Sequence, residues 1–155
     1  MAVPDKIPIS RLEDYHTRFV GICEDGRQFM SFVVASLPEV IPRDVGPHKR
    51  WYAVLHLFDV DGNHLSTDAR FAGLTADGEP AVLEKAYAFQ DEMLNNLGSI
   101  EWTDIAVRLF SVLVDGRIFG LVDTSFYDDG EYYETLTLLP NDFVFTEPWD
   151  GDFDT

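Results

Sequence analysis

The stretch RWYAVLHLFDVDGNHLSTDARFA, residues 50–72, predicts two neighbouring β-strands joined by a tight turn. In residues 51–58, apolar side chains occupy both of the alternating faces of the strand. One face carries Trp51, Ala53, Leu55 and Leu57, and the other carries Tyr52, Val54, His56 and Phe58. A strand that is apolar on both faces belongs in the middle of a sheet.

The second strand, residues 64–71, alternates between apolar and polar side chains, which predicts one face toward water. The expected inward residues are Leu65, Thr67, Ala69 and Phe71, opposite His64, Ser66, Asp68 and Arg70. Asp61-Gly62 lies between the two strands and predicts a type I′ hairpin turn, because Gly and Asp tolerate the positive φ angles that this turn requires.

The rest of the chain predicts an α+β fold, a mainly antiparallel sheet of hairpins in the order ββ-ββ-α-ββ-β. One amphipathic helix, residues 80–97, has Pro80 suited to its first turn and Gly98 placed to end it. This helix is expected to pack on one face of the sheet, with Gln90 on its polar side. Gly120, inside a later strand, marks a bulge or a close approach of the neighbouring backbone.

The length of 155 residues suits a single domain, residues 1–155. Residues 1–16 are expected to form an extended N-terminal arm, and residues 147–155 an irregular acidic C-terminal tail. The sequence shows neither an apolar leader nor an apolar run that could span a membrane, so we expect no membrane association. The single cysteine, Cys23, fits a reducing compartment, and the cytoplasm is the expected location.

The formal net charge of -17 is the most unusual property of the composition. A hydrophobic content of 46% argues against general disorder, so the charge is expected on the surface of a folded body. Such a surface repels nucleic acid and anionic membranes and attracts a basic protein partner, although it also serves solubility alone. Residues 115–155 contain eleven acidic residues and one basic residue, Arg117, so a basic partner is expected to prefer this end.

A candidate recognition surface combines acidic and aromatic side chains near the C-terminus. Tyrosine and tryptophan are favoured at recognition surfaces, because they bring a large rigid area and a polar tip. Cross-strand packing explains one of the two tyrosines equally well. The candidate binding residues are Glu131, Tyr132, Tyr133, Glu134, Trp149 and Asp150.

Metal and cofactor sites receive little support from the sequence. Asp150, Asp152 and Asp154 are spaced by two, so an extended chain would place them on one side as weak ligands for a hard cation. A loose, solvated chain end is the simpler interpretation. No zinc, nucleotide or hydrolase motif is present, and we predict neither a metal nor a cofactor.

Two functional hypotheses follow. The first is a non-enzymatic acidic binding or regulatory module that engages a basic protein, as an inhibitor, an immunity-type protein or a regulator would. The alternative is a small-ligand-binding protein or enzyme with its site on the open face of the sheet near His56, whose ordinary pKa suits a general base. The absence of an assembled catalytic motif favours the first hypothesis.

Several segments together resemble a small family of uncharacterised bacterial proteins, found mainly in actinobacteria, some of which are labelled formate hydrogenlyase regulatory protein. The resemblance is carried by MAVPD at residues 1–5, HKRWYAVLHLFDVDGNH at 48–64, FAGLTADGE at 71–79, IFGLVD at 118–123 and PWDGDFDT at 148–155. It implies a transcriptional or assembly regulator. The charge and the lack of a helix-turn-helix pair favour protein contacts over DNA contacts for such a role.

Overall fold

The computed structural model describes residues 2–13, 15–38 and 43–155, and every strand pair within them is antiparallel. One α-helix, α1 (Glu79–Asn95), follows the fifth strand. In chain order the strands are β1 (Ile7–Ile9), β2 (Val20–Cys23), β3 (Gln28–Ser36), β4 (Arg50–Phe58), β5 (His64–Leu74), β6 (Ile100–Trp102), β7 (Ile105–Val107), β8 (Phe110–Val114), β9 (Arg117–Asp123), β10 (Phe126–Asp128), β11 (Glu131–Tyr133), β12 (Leu136–Leu139) and β13 (Phe143–Phe145).

The fold has three layers. Its central layer is a five-stranded sheet in the order β5-β4-β3-β2-β6, and α1 packs on one face of that sheet. A second sheet, β13-β12-β9-β8, packs against the other face, and β1 with β7 forms a separate ribbon. The predicted α+β class with antiparallel strands and one helix is confirmed. The alternative hypothesis of a site near His56 expected the second face of the central sheet to be open. In the structure, the sheet β13-β12-β9-β8 covers that face.

Strand β4 lies between β3 and β5, as its two apolar faces predict. Toward the second sheet, the Tyr52 ring meets the Phe119 ring edge-on, with centroids 5.4 Å apart. Toward α1, Ala53 and Leu55 pack in one cluster with Met93. Each large apolar side chain buried in this way contributes roughly 1.5–3 kcal/mol, which is why a strand apolar on both faces occupies the centre.

Strand β5 contains a β-bulge, so side chains at its start face differently from the prediction. Leu57 pairs with Ser66 and Phe58 pairs with His64, so Leu65 is an extra residue with no partner on β4. The bulge turns the His64 ring onto Phe110, with centroids 4.7 Å apart, and leaves Leu65 52% exposed. The predicted inward position of Leu65 is therefore wrong, because one inserted residue reverses the facing of the strand beyond it.

The turn between β4 and β5 also differs from the predicted type I′ geometry. Gly62 adopts a φ of 84°, but Asp61 has no positive φ. The Gly62 N–H donates to the Asp59 carbonyl at 3.0 Å, and the Asp59 carboxylate accepts from the N–H groups of Asp61 and Asn63. The connection is thus a five-residue loop closed around the Asp59 side chain.

Replacing Leu65 with serine is expected to change the free energy of unfolding by less than about 0.5 kcal/mol, because the side chain projects into solvent. Replacing Leu55, which is 6% exposed on the neighbouring strand, with serine serves as the comparison and is expected to cost several times more. Urea unfolding followed by tryptophan fluorescence measures both. A large loss for Leu65→Ser would place Leu65 in the core and contradict the bulge.

Helix α1 begins one residue before the predicted start and ends two residues before the predicted end. Pro80 lies in its first turn as expected. Gln90 is wrong as a solvent-facing residue, because it is 2% exposed and its side-chain N–H donates to Ser31 Oγ at 3.2 Å. Ser31 Oγ in turn donates to the Val54 carbonyl at 2.7 Å, so a polar chain links the helix to the centre of the sheet. No helix among the described residues is long and apolar enough to cross a bilayer.

Both chain ends are joined to the body. Ile7–Ile9, within the predicted arm, pairs with β7. The C-terminal tail has no regular strand, yet Trp149 is 6% exposed. It belongs to the main core, which is the apolar cluster between the two sheets. The Gly151 carbonyl accepts from the Ser10 N–H at 3.1 Å, so the tail packs beside the N-terminal segment.

Candidate binding surface

Strands β10 and β11 form a hairpin, residues 126–133, that is separate from both sheets. Asp129 and Gly130 have φ angles of 51° and 79°, which are the two positive values of a type I′ turn. Phe126 pairs with Tyr133, and Tyr127 pairs with Tyr132. Because paired residues share a face of a two-stranded ribbon, each face of this hairpin carries one aromatic pair.

The four aromatic rings of the hairpin are well exposed. Their side chains are 48%, 76%, 52% and 43% exposed for Phe126, Tyr127, Tyr132 and Tyr133. Ring centroids lie 5.3 Å apart in the first pair, Phe126 with Tyr133, and 4.8 Å apart in the second, Tyr127 with Tyr132. Paired aromatic rings exposed to this extent on both faces of one hairpin indicate an interaction site.

Hydroxyl groups connect the hairpin to the second sheet. Thr124 Oγ1 lies 2.8 Å from Thr135 Oγ1 and 2.7 Å from Thr137 Oγ1. The Thr135 N–H donates to Ser125 Oγ at 3.1 Å. These contacts fix the direction in which the hairpin leaves the sheet, and the aromatic pairs beyond them project into solvent.

A groove of about 550 Å³ runs along the base of the hairpin. We call it the hairpin groove, and its lining residues are Phe126, Tyr132, Tyr133, Glu134, Thr135, Thr146 and Glu147. Glu134 Oε2 is buried and has no hydrogen-bond partner among the residues that the structure describes. A buried carboxylate oxygen beside aromatic rings is suited to a cationic group, since the rings and the carboxylate both attract positive charge.

The acidic groups of the hairpin are not neutralised by neighbouring bases. The ion pairs among the described residues join Arg11, Arg27, Arg50 and Arg70 to carboxylates elsewhere in the fold. The Tyr133 hydroxyl donates to Glu131 Oε2 at 2.9 Å, which orients that carboxylate without removing its charge. The hairpin therefore keeps its negative potential available to a partner.

The structure brings four of the six predicted binding residues together and separates Trp149 from them. Glu131, Tyr132 and Tyr133 lie on β11, and Glu134 follows directly. Trp149 is wrong as a recognition residue, because its ring is buried in the main core and has no surface to offer. Asp150 is exposed within the tail, where its carboxylate accepts from the Asp152 N–H at 3.2 Å.

Phe126 and Tyr127 belong to this surface but were not among the predicted residues. The sequence predicts a turn around residues 128–130 that leads into a strand at 132–139, but no strand was predicted for residues 124–127. The signal was available, since two aromatic residues precede the turn at the same distance at which Tyr132 and Tyr133 follow it. A type I′ register pairs such residues directly.

The acidic tail lines a shallower depression of about 150 Å³ that shares Thr146 and Glu147 with the hairpin groove. The weak metal candidates Asp150, Asp152 and Asp154 all line this depression. Within residues 2–13, 15–38 and 43–155, no three His, Cys, Asp or Glu side chains come close enough to hold a metal ion. The tail thus extends the acidic surface beyond the hairpin.

His56, the centre of the alternative site, lies inside the core with no exposed surface. Its Nδ1 is 2.7 Å from Thr67 Oγ1, while Nε2 is buried without a partner among the described residues. Burial, with a smaller contribution from the nearby His64, lowers the pKa of His56 to about 3. The open sheet face expected around His56 does not exist, because the second sheet packs over it, and the Phe110 ring lies 4.8 Å away.

Comparison of the chain with protein-family models, with curated proteins and with solved structures found no match. The resemblance to the bacterial family with regulatory labels therefore stays a prediction.

Proposed function

We propose that this protein is a non-enzymatic binding module that engages a basic segment of another protein through the hairpin 126–133 and the hairpin groove. The observation that carries the proposal is the exposure of two aromatic pairs on one ribbon with unneutralised carboxylates beside them. Aromatic rings supply most of the contact energy at protein interfaces, and they also attract Lys and Arg side chains over their faces.

The charge distribution supports a basic partner. From residue 118 to the C-terminus the chain has ten acidic residues and no Lys or Arg. A potential of one sign steers an oppositely charged protein toward the hairpin and speeds the encounter. The same potential disfavours phosphate backbones, so the partner is a protein.

A binding module of this kind would act as an inhibitor, an immunity-type protein or a regulator, each of which acts by occupying a partner's surface. The resemblance of the sequence to the bacterial family points among these to a transcriptional or assembly regulator acting through protein contacts. A cytoplasmic location is part of this proposal. Support for it comes from Cys23, which is buried and forms no disulfide.

Replacing Asp128 with asparagine together with Glu131 with glutamine is expected to weaken partner binding by about tenfold, because both charges face the incoming basic segment. The chain immobilised on beads should retain a basic protein from the source cell's lysate at low salt, and the purified partner then gives the dissociation constant by titration. The matched control is Glu84→Gln with Asp91→Asn, which removes the same charge from the exposed side of α1. The control is expected to bind nearly as tightly as the wild type.

Equal weakening by both double variants would mean that total charge alone matters, and it would remove the hairpin from the proposal. Retention of no basic protein at low salt would refute the proposed function itself. The aromatic contribution is tested by Tyr127→Ala against Leu113→Ala, because Leu113 is similarly exposed, at 75% against 76%, but lies on β8. Only the tyrosine variant is expected to weaken binding.

A further inference from the structure

One edge of strand β3 is paired along only part of its length. Strand β2 pairs with residues 28–30, and the Ser31 N–H then donates to the Phe19 carbonyl at 2.9 Å. The preceding chain turns away from the sheet, where Thr17 Oγ1 donates to the Ser10 carbonyl at 2.7 Å. On its other edge, β3 is paired with β4 as far as Ser36. Among the described residues, none pairs with the β2 side of β3 after Ser31, so residues 32–36 present an open sheet edge there.

The direction of the open main-chain groups follows from the pairing. Since Ser31 bonds toward β2, the odd-numbered residues Val33 and Ala35 also direct their N–H and C=O groups to that side. Neither residue has a hydrogen bond on this edge within the described part of the chain. An edge of this kind is a template for another extended chain unless charge, proline or a covering segment blocks it.

A groove of about 460 Å³ follows this edge, and we call it the edge groove. Tyr87 and Gln90 of α1 line it on one side of the sheet, and Asn141 and Phe143 line it on the other. Gln90 is 2% exposed, and its side-chain N–H donates to Ser31 Oγ at 3.2 Å. Asn141 Oδ1 is buried and has no hydrogen-bond partner among the described residues. The groove thus holds an acceptor that a bound chain can satisfy.

Its shape and charge restrict the occupant. Because walls rise on both faces of the sheet, the groove admits one extended strand, whose side chains point alternately to the two walls. None of its described lining residues is Asp or Glu, although the chain contains 28 of them, and Arg18 lies at its rim. The edge groove is therefore unsuited to the basic partner proposed for the hairpin and suited to an uncharged, apolar chain.

We propose that the edge groove binds an extended, uncharged peptide segment of a partner protein by strand addition, with the peptide main chain bonded to Val33 and Ala35. Strand addition of this kind draws its affinity from main-chain hydrogen bonds and its selectivity from side-chain contacts at alternate positions. The inference is independent of the proposed function of the hairpin. It rests on different residues, and the described lining of the edge groove has no acidic residue, whereas the hairpin is acidic.

The test selects random phage-displayed peptides on the full chain and measures the selected peptides by fluorescence anisotropy. Val33→Pro removes the outward N–H at an edge position, where proline is tolerated, and Val33→Ala is the matched control that shortens the same side chain and keeps this N–H. Peptides with apolar residues at alternate positions are expected, with affinity at least about tenfold lower for Val33→Pro and nearly unchanged for Val33→Ala. Amide resonances of Val33 and Ala35 should shift and gain exchange protection when the peptide binds.

A second measurement replaces single peptide N–H groups by N-methyl groups. Strand addition predicts that every second position fails, because alternate N–H groups of the peptide face β3. This readout holds even if Val33→Pro does not fold. Uniform tolerance of N-methylation, or a selection that enriches no peptide, would overturn the proposal. Basic peptides that lose affinity in salt and on replacement of Tyr127 would assign the binding to the hairpin, and dimers of the chain formed through this edge would make a second copy the occupant.

Discussion

Replacing Gly120 with alanine is expected to destabilise the protein by about 3–5 kcal/mol, enough to leave much of it unfolded. Gly120 lies in β9 between Ser111 of β8 and Leu139 of β12. A Cβ atom there would lie 2.2 Å from the Phe110 carbonyl oxygen and 2.8 Å from Ser111 Cα. Both are main-chain atoms of a paired strand, so relief requires the second sheet to open. The φ of 155° adds backbone strain for any side chain.

Gly26→Ala is the matched control, because Gly26 also has a positive φ, at 89°, but has open space where its Cβ would lie. Its cost is expected to be about 1 kcal/mol, from backbone strain alone. Urea unfolding followed by tryptophan fluorescence gives both free energies of unfolding. Equal losses for the two variants would show that conformation, and not the approach of β8, explains Gly120.

The features that were predicted correctly from the sequence depend on residues near one another in the chain. The two apolar faces of β4 placed it in mid-sheet, because no other location hides both faces. The spacing of apolar residues in α1 and the flanking Pro80 located the helix within two residues at each end. The close approach at Gly120 was one of the two alternatives predicted there, a bulge being the other.

The features that were missed depend on contacts between distant segments. The bulge at Leu65 reverses the facing of a strand whose alternation looked regular, and nothing local marks it. Gln90 is polar and was assigned to solvent, but Ser31 supplies a buried partner from 59 positions away. The burial of Trp149 requires the second sheet, which periodicity alone cannot assemble from short hairpins.

The binding surfaces were likewise predicted only where the signal is local in the sequence. Composition located the acidic and aromatic end of the chain, and four of the six predicted residues gather there on β11 and directly after it. The edge groove was not predictable, because an unpaired strand edge becomes visible only when the end of β2 and the full length of β3 are both known. The chain therefore carries two different surfaces. The hairpin is suited to a basic segment, and the edge groove is suited to main-chain pairing with an extended peptide.

Acidification from pH 6.5 to 4.5 is expected to remove about 2.3 kcal/mol of folding stability through His56 alone. The pKa of His56 in the folded protein is about 3, because the ring is buried, whereas the unfolded chain has the ordinary value of 6.5. The unfolded state therefore takes up a proton below pH 6.5 and the folded state does not. The stabilisation is complete above pH 6.5 and is lost as the pH falls toward 3. Protonation inside the core would place an N–H on Nε2, where no described residue accepts it.

The measurement is the free energy of unfolding in urea at several pH values between 7 and 4.5, a window in which most carboxylates stay ionised. His56→Leu is expected to lose about 1.4 kcal/mol less per pH unit than the wild type below pH 6.5. Part of the pH dependence should remain, because burial also lowers the pKa of His64. A His56→Leu variant with the wild-type slope would mean that His56 accepts a proton without unfolding, which requires a second arrangement of the two sheets around it.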